Sequence, residues 1–202
     1  MIKLITDHIK HIEHGFKHII EAGDLILGDK NENHFELALK FLDDSTYQVR
    51  MLGTYMLGQL SAVRSDSLEI LETKVAHDTN WRVQEMLAKA FDNYCSCVGY
   101  ERSLPKIKKW LSDPNPNVKR AVIEGLRIWT GRTYFKDHPK VAIEFISKYR
   151  SEDSEYLRKS VGNALRDISK KYPDEIAEEL STWNLQDKKA LFTYKLAKGK
   201  QK

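Results

Sequence analysis

Apolar residues recur three and four positions apart through almost the whole chain, the spacing of helices that each bury one stripe. No stretch sustains the strict alternation of a half-buried strand, and the β-branched residues are scattered. The pattern predicts eleven helices, near 3–22, 31–43, 46–63, 65–76, 80–97, 102–112, 116–130, 137–150, 154–171, 173–182 and 185–197. Pro105, Pro114, Pro116, Pro139 and Pro173 fall at or near proposed helix starts, where a missing amide donor costs little. Short connections between them imply antiparallel neighbours that stack in pairs.

The stripes themselves repeat. Val49, Val83, Val118 and Leu157 lie 34, 35 and 39 residues apart, and each follows an acid at the mouth of a turn: Asp44, Asp78, Asp113 and Asp153. This period is that of helical solenoids such as HEAT and armadillo arrays, so the expected fold is all-α, a right-handed α-α superhelix of HEAT-like repeats. One domain over 1–202 is expected, with a helical cap at 1–34, repeats at 35–183, and a C-terminal helix and basic tail at 184–202. Positions 0, 3, 4, 7 and 8 from each anchor are apolar or small, as in Val83, Met86, Leu87, Ala90 and Phe91. Positions 2, 6 and 9 then point away from the core at 100° per residue. They read Met51, Tyr55, Gly58; Glu85, Lys89, Asp92; Arg120, Glu124, Arg127; and Lys159, Asn163, Arg166. Stacked helices would align them as a ladder on one exposed surface.

Charge gives that ladder a direction. The chain carries a net +4, but residues 1–76 hold 8 Lys/Arg against 12 Asp/Glu, leaving 25 against 17 for residues 77–202. Excess positive charge over the later repeats suits a polyanion, although lysines also serve simply to solubilise helices. On the ladder, Trp81 and Glu85 are one helical turn apart. An indole at a solvent edge offers a π-face to a cation or a base, and a carboxylate beside it stabilises developing positive charge or orients a water. The structural alternative is a tryptophan that caps its helix against the preceding repeat. Arg120 and Lys159 share the phase of Glu85, an arrangement suited to gripping phosphates around a cationic centre, or else to inter-repeat ion pairs of little energetic weight.

Three segments, DTNWRVQEMLAKAF (78–91), SDPNPNVKRAVIEGLRIW (112–129) and SEYLRKSVGNALRDISKKYPDE (154–175), resemble the HEAT-like repeat DNA glycosylases of the AlkC/AlkD type, with the earlier VRMLGTYMLGQL (49–60) extending the likeness over most of 35–183. The last segment is nearer in character to AlkC. The resemblance implies a catalytic Trp81–Glu85 pair and a backbone-gripping Arg120, with Lys159, Arg127, Arg166 and Lys89 as further DNA contacts. AlkD-like members carry a tryptophan where this chain has Asn163; AlkC-like members use extra acids, matched here by Glu124 and Asp167. Trp129, which follows EGLRI, is placed at the groove edge, or in the core with Trp110 and Trp183. The implied activity is hydrolysis of the glycosidic bond of purines alkylated at N3 or N7 in double-stranded DNA, with no metal or organic cofactor. The rival reading is a non-catalytic HEAT-repeat module that binds DNA or a protein through the same surface.

Other features narrow the class. No apolar run approaches the roughly 20 residues of a membrane span, and the N-terminus lacks the form of a secretory signal. Cys95 and Cys97 read as reduced packing residues, consistent with a cytoplasmic monomer associated with the nucleoid through DNA. His8, His11, His14 and His18 line one side of the predicted first helix, opposite Ile5, Ile9, Ile12, Phe16 and Ile19, on a solvent face without a fixed acidic or cysteine partner, so a metal site is not expected.

Overall fold

Three of the four repeated acids fold back on their own backbone, and the fourth, Asp153, pairs with Lys189 instead. Asp44, Asp78 and Asp113 accept, through Oδ1, from the amides of Thr46, Asn80 and Asn115 at 2.7, 2.8 and 2.7 Å. Such turns present the chain for a helix start, and Asn80, Asn115 and Ser154 accept the amides of Arg82, Asn117 and Leu157, which open the next helices. The residue after the anchor closes the turn from the other side. Arg50 donates to the carbonyls of Asp44 and Ser45 at 3.0 and 2.9 Å, Gln84 to that of Asp78 at 2.8 Å, and Arg158 to that of Asp153 at 2.8 Å.

In the computed structural model, which describes residues 1–199, these turns organise twelve α-helices and no strand among the described residues. The array is all-α and HEAT-like, as the period predicts. Residues 200–202, the end of the expected basic tail, lie outside the described residues. The chain divides into two compact units, Met1–Val98 and Gly99–Lys202.

The first unit holds α1 (Ile2–Lys10), α2 (Lys17–Leu27), α3 (His34–Leu42), α4 (Tyr47–Leu60), α5 (Ser65–Thr73) and α6 (Trp81–Val98). A short 3-10 turn, Val75–His77, follows α5 where the sequence predicts one continuous helix to 76. At the centre lies α4, packed on α2 and α6 along one layer and on α3 and α5 in the other. Val49, Leu52, Met56 and Leu57 of α4, and Val83, Met86, Leu87 and Phe91 of α6, are all at most 1% exposed. Gly58 lets these two helices close: a Cβ there would stand 2.6 Å from the Cβ and 2.7 Å from the Cα of Ala90.

The predicted helix 3–22 is two. Gly15 takes φ +90°, and the amide of Gln48 on α4 donates to the carbonyls of Lys10 and Ile12 at 3.2 and 3.3 Å, holding the chain out of helix there. The fold back leaves a cavity of about 330 Å³ lined by Leu4, Ile5, His8, Ile9, His18 and Leu25 among others. His8 and His18 both line this cleft, His8 remaining exposed as expected and His18 half-buried. Burial pushes His18 below its ordinary value, the charge of His8 adds to this, and Glu21 opposes it.

The second unit holds α7 (Leu104–Leu111), α8 (Pro116–Trp129), α9 (Pro139–Ser147), α10 (Glu155–Ile168), α11 (Pro173–Ser181) and α12 (Lys188–Lys198). Here α10 is central, flanked by α8 and α12, with α9 and α11 paired in the other layer. Val118, Val122, Leu126, Leu157, Val161 and Leu165 are fully buried, so the anchor phasing holds. The wider spacing between the last two anchors is taken up by the α8–α9 connection, whose carbonyls at Thr130 and Lys136 both lie near the Tyr172 hydroxyl, at 2.9 and 3.2 Å.

Gly58→Ala tests the closest packing in the first unit. A gain of about 1 kcal/mol in helix propensity is set against roughly 1–3 kcal/mol for pushing on the Ala90 backbone. A net loss of about 1 kcal/mol is expected as a lower urea midpoint; an unchanged or higher midpoint would show that the helices have room to spare.

Candidate nucleic-acid interface

Trp81 opens α6 and is 51% exposed; Glu85 stands one turn along and is half-buried, with Lys89 exposed a further turn on. The expected pair is thus brought together at one end of one helix. Arg82, next to Trp81, lays its guanidinium over two rings, 4.5 Å from the indole centroid and 5.2 Å from that of Tyr47. The ammonium of Lys89 lies 5.2 Å from the centroid of Phe16. On α4 the ladder is covered instead: Met51 is 1% exposed, the Tyr55 ring lies against Gly23 of α2 with its hydroxyl donating to Asp24 at 2.5 Å, and Gly58 is buried against Ala90 of α6.

In the second unit the ladder is partly self-neutralised. Arg120, expected at the surface, is 3% exposed, and its guanidinium lies 4.5 Å from the centroid of the Tyr156 ring, which shields it. Arg127 is exposed but forks between Glu124, at 3.1 Å, and Asp167, at 2.7 Å; Asp167 also takes Lys170 at 2.8 Å. Burial works to raise the Asp167 carboxyl, but the hydrogen bond from Lys170 and the charges of Arg127, Lys170 and Arg166 outweigh it and hold the group below its ordinary value. Lys159 is exposed and pairs one turn back with Glu155 at 2.7 Å, a contact weak enough to yield to a ligand. Asn163 and Arg166 are half-buried on the same helix.

Trp129 is not at a groove edge. It is fully buried, with its centroid 5.3 Å from Tyr100 and 5.8 Å from Phe135, and its indole fills the space a Cβ on Gly125 would need. Trp110 and Trp183, at 0% and 5% exposed, are core as expected. Cys95 is buried and Cys97 exposed. Among the described residues no group of three His, Cys, Asp or Glu is placed to hold a metal ion, and no helix is long and apolar enough to cross a membrane.

A protein-family model described as DNA alkylation repair enzyme matches residues 20–191, most of the chain. The chain belongs to the DNA alkylation repair enzyme family. It is similar to the crystal structure of AlkD2 from Streptococcus mutans, with 44% identity and a TM-score of 0.92, covering 97% of this chain and 95% of that one. The alkylpurine DNA glycosylase AlkC of Pseudomonas fluorescens, solved bound to DNA containing an abasic site analog, shares the fold at 19% identity and a TM-score of 0.52, over 90% of this chain and 60% of that one. Over the whole chain, identity to AlkD2 is more than twice that to AlkC. The uncharacterised Bacillus subtilis (strain 168) protein YhaZ is 30% identical over 87 residues, which span 41% of this chain and 24% of that protein.

For this member of the DNA alkylation repair enzyme family, the phasing missed the Tyr47–Arg82–Trp81 stack. The signal was present: Tyr47 and Trp81 each lie two residues before an anchor, so they occupy the same repeat position on adjacent helices. The Arg127 fork is missed because one of its two partners, Asp167, lies forty residues away in sequence.

The Asp167 cluster carries a signed pH dependence. A carboxyl held low in the folded state stabilises it above the unfolded value of about 3.9, and that contribution fades as pH falls through the folded value. Asp167→Asn should cost about 1 kcal/mol at neutral pH, with the gap to the native protein closing below pH ~4. Urea unfolding of both proteins across that range checks it; a gap indifferent to pH would be the wrong result.

Proposed function

We propose that this chain is a monofunctional DNA glycosylase that hydrolyses the N-glycosidic bond of purines alkylated at N3 or N7 in duplex DNA. The observation that carries the reading is the exposed indole of Trp81 with the Glu85 carboxylate one turn along α6, in a family of DNA alkylation repair enzymes. A purine alkylated on a ring nitrogen is already cationic, so its bond to deoxyribose is weakened and departure of the neutral base needs no strong acid. Departure leaves an oxocarbenium-like sugar. Glu85 would oppose that positive charge and orient the water whose oxygen bonds to the anomeric carbon, the water's proton passing to solvent. Trp81 would contact the deoxyribose or the cationic base through its π-face. Lys159 and Arg166 would hold phosphates, giving an affinity that falls with salt.

A second reading is binding of DNA without release of a base. The shielding of Arg120 by Tyr156 and the hold of two acids on Arg127 reduce the cations offered to the strand under either reading. Base release from methylated duplex DNA separates the two. The native protein is expected to liberate 3- or 7-methylpurine, and Glu85→Gln to lose roughly 100-fold or more of that rate while holding DNA within a few-fold of native affinity. Salt-dependent binding by the native protein without any released base would establish the second reading, and absence of binding would remove both.

A further inference from the structure

The cations expected on the ladder of the second unit are shielded or paired, yet one cation of the first unit is held in a manner that leaves its donors available. Arg82 lies with its guanidinium carbon 4.5 Å from the Trp81 ring centroid and 5.2 Å from that of Tyr47. Tyr47 is itself fixed, its hydroxyl donating to the Glu13 carbonyl at 3.0 Å, and the Arg82 amide is fixed by Asn80 at 2.9 Å. The column therefore joins the α1–α2 linker, the start of α4 and the start of α6. A guanidinium is weakly hydrated on its faces and carries its N–H donors around its edge. Contacts to two rings use none of those N–H donors, and the donor edge matches the paired oxygens of a phosphate. Stacking also restricts the long side chain beforehand, so less freedom is lost when an anion arrives.

We infer that Arg82 is a backbone-phosphate contact of this site, stacked edge-outward beside Trp81 so that a phosphodiester of the bound strand lies next to the indole. The inference rests on the reading that the chain binds duplex DNA, and it does not require that a base is released. It lies outside the ladder phase, since Arg82 stands one residue before its anchor. It also assigns the neighbouring pair separate tasks: Arg82 takes the strand, and Trp81 takes the sugar or base.

The test is the salt dependence of binding to a short unmodified duplex, measured for the native protein, Arg82→Gln and Tyr47→Leu, with base release from methylated duplex assayed on the same preparations. Each phosphate contact contributes about 0.9 to the slope of log affinity against log salt. Arg82→Gln should flatten the slope by about that amount and weaken binding roughly tenfold at low salt. Tyr47→Leu keeps the charge but loosens the column, so affinity should fall with the slope unchanged. Collisional quenching gives a reading free of DNA: Trp81 is 51% exposed, whereas Trp110, Trp129 and Trp183 are at most 5%. Iodide should therefore quench native emission more than caesium does, and Arg82→Gln should reduce that difference. A slope unaltered by Arg82→Gln overturns the proposal, including the case in which quenching changes and Arg82 merely steadies the indole. A flattened slope without base release leaves Arg82 in place and removes the glycosylase reading; base release with an unaltered slope does the reverse.

Discussion

The acid at the mouth of each of the first three repeats sets the phase on which everything else is hung. A helix can be rotated about its axis unless its first residue is fixed, and here the carboxylate of Asp44, Asp78 or Asp113 fixes it by bending the chain two residues on. The donor after the anchor then grips the carbonyls of the same turn. In places these turns are also tied to their neighbours. Arg50 reaches Asp78 at 2.6 Å with both partners largely buried, Lys119 reaches Glu152 at 2.6 Å, and Lys189 reaches Asp153. Partly buried and hydrogen-bonded pairs of this kind matter more than surface pairs, because leaving one partner alone costs more than the pair contributes.

That constraint decides how positive charge is distributed. Once helix rotation is fixed, a side chain two positions past the anchor has no choice of direction, and its exposure depends on what neighbouring elements place over it. On α4 it is α2; on α8 it is the Tyr156 ring. The charges that remain accessible within each unit differ in kind. Lys159 is a flexible ammonium in an exposed helical pair, whereas Arg82 is a planar group stacked against rings. The first is suited to diffuse attraction and the second to a placed contact.

Periodic features were legible from the residues and non-periodic ones were not. Val83, Met86, Leu87, Ala90 and Phe91 could be assigned to the core because burial recurs with the helix period, and the same reasoning served Val118 and Leu157. It also put Trp81 and Glu85 on one helical face. The break between α1 and α2 was hidden, since apolar spacing runs through it and its causes include a glutamine more than thirty residues away. Arg120 was misplaced, and Trp129 left open between groove edge and core, for a related reason. Their surroundings are supplied by Tyr156 and by Tyr100 with Phe135, residues that belong to other turns of the array. Phase gives the direction of a side chain, but only packing says whether anything stands in its way.

The connection between α8 and α9 has a bearing on how such arrays diversify. Extra length there is gathered into a compact turn under the Tyr172 hydroxyl, while Leu157 and its stripe remain seated as firmly as Val118. An insertion at that bend is thus mechanically silent for the helices beyond it. Lineages sharing this scaffold have a location where chain can be added or trimmed, and new surface acquired, without re-indexing the interior.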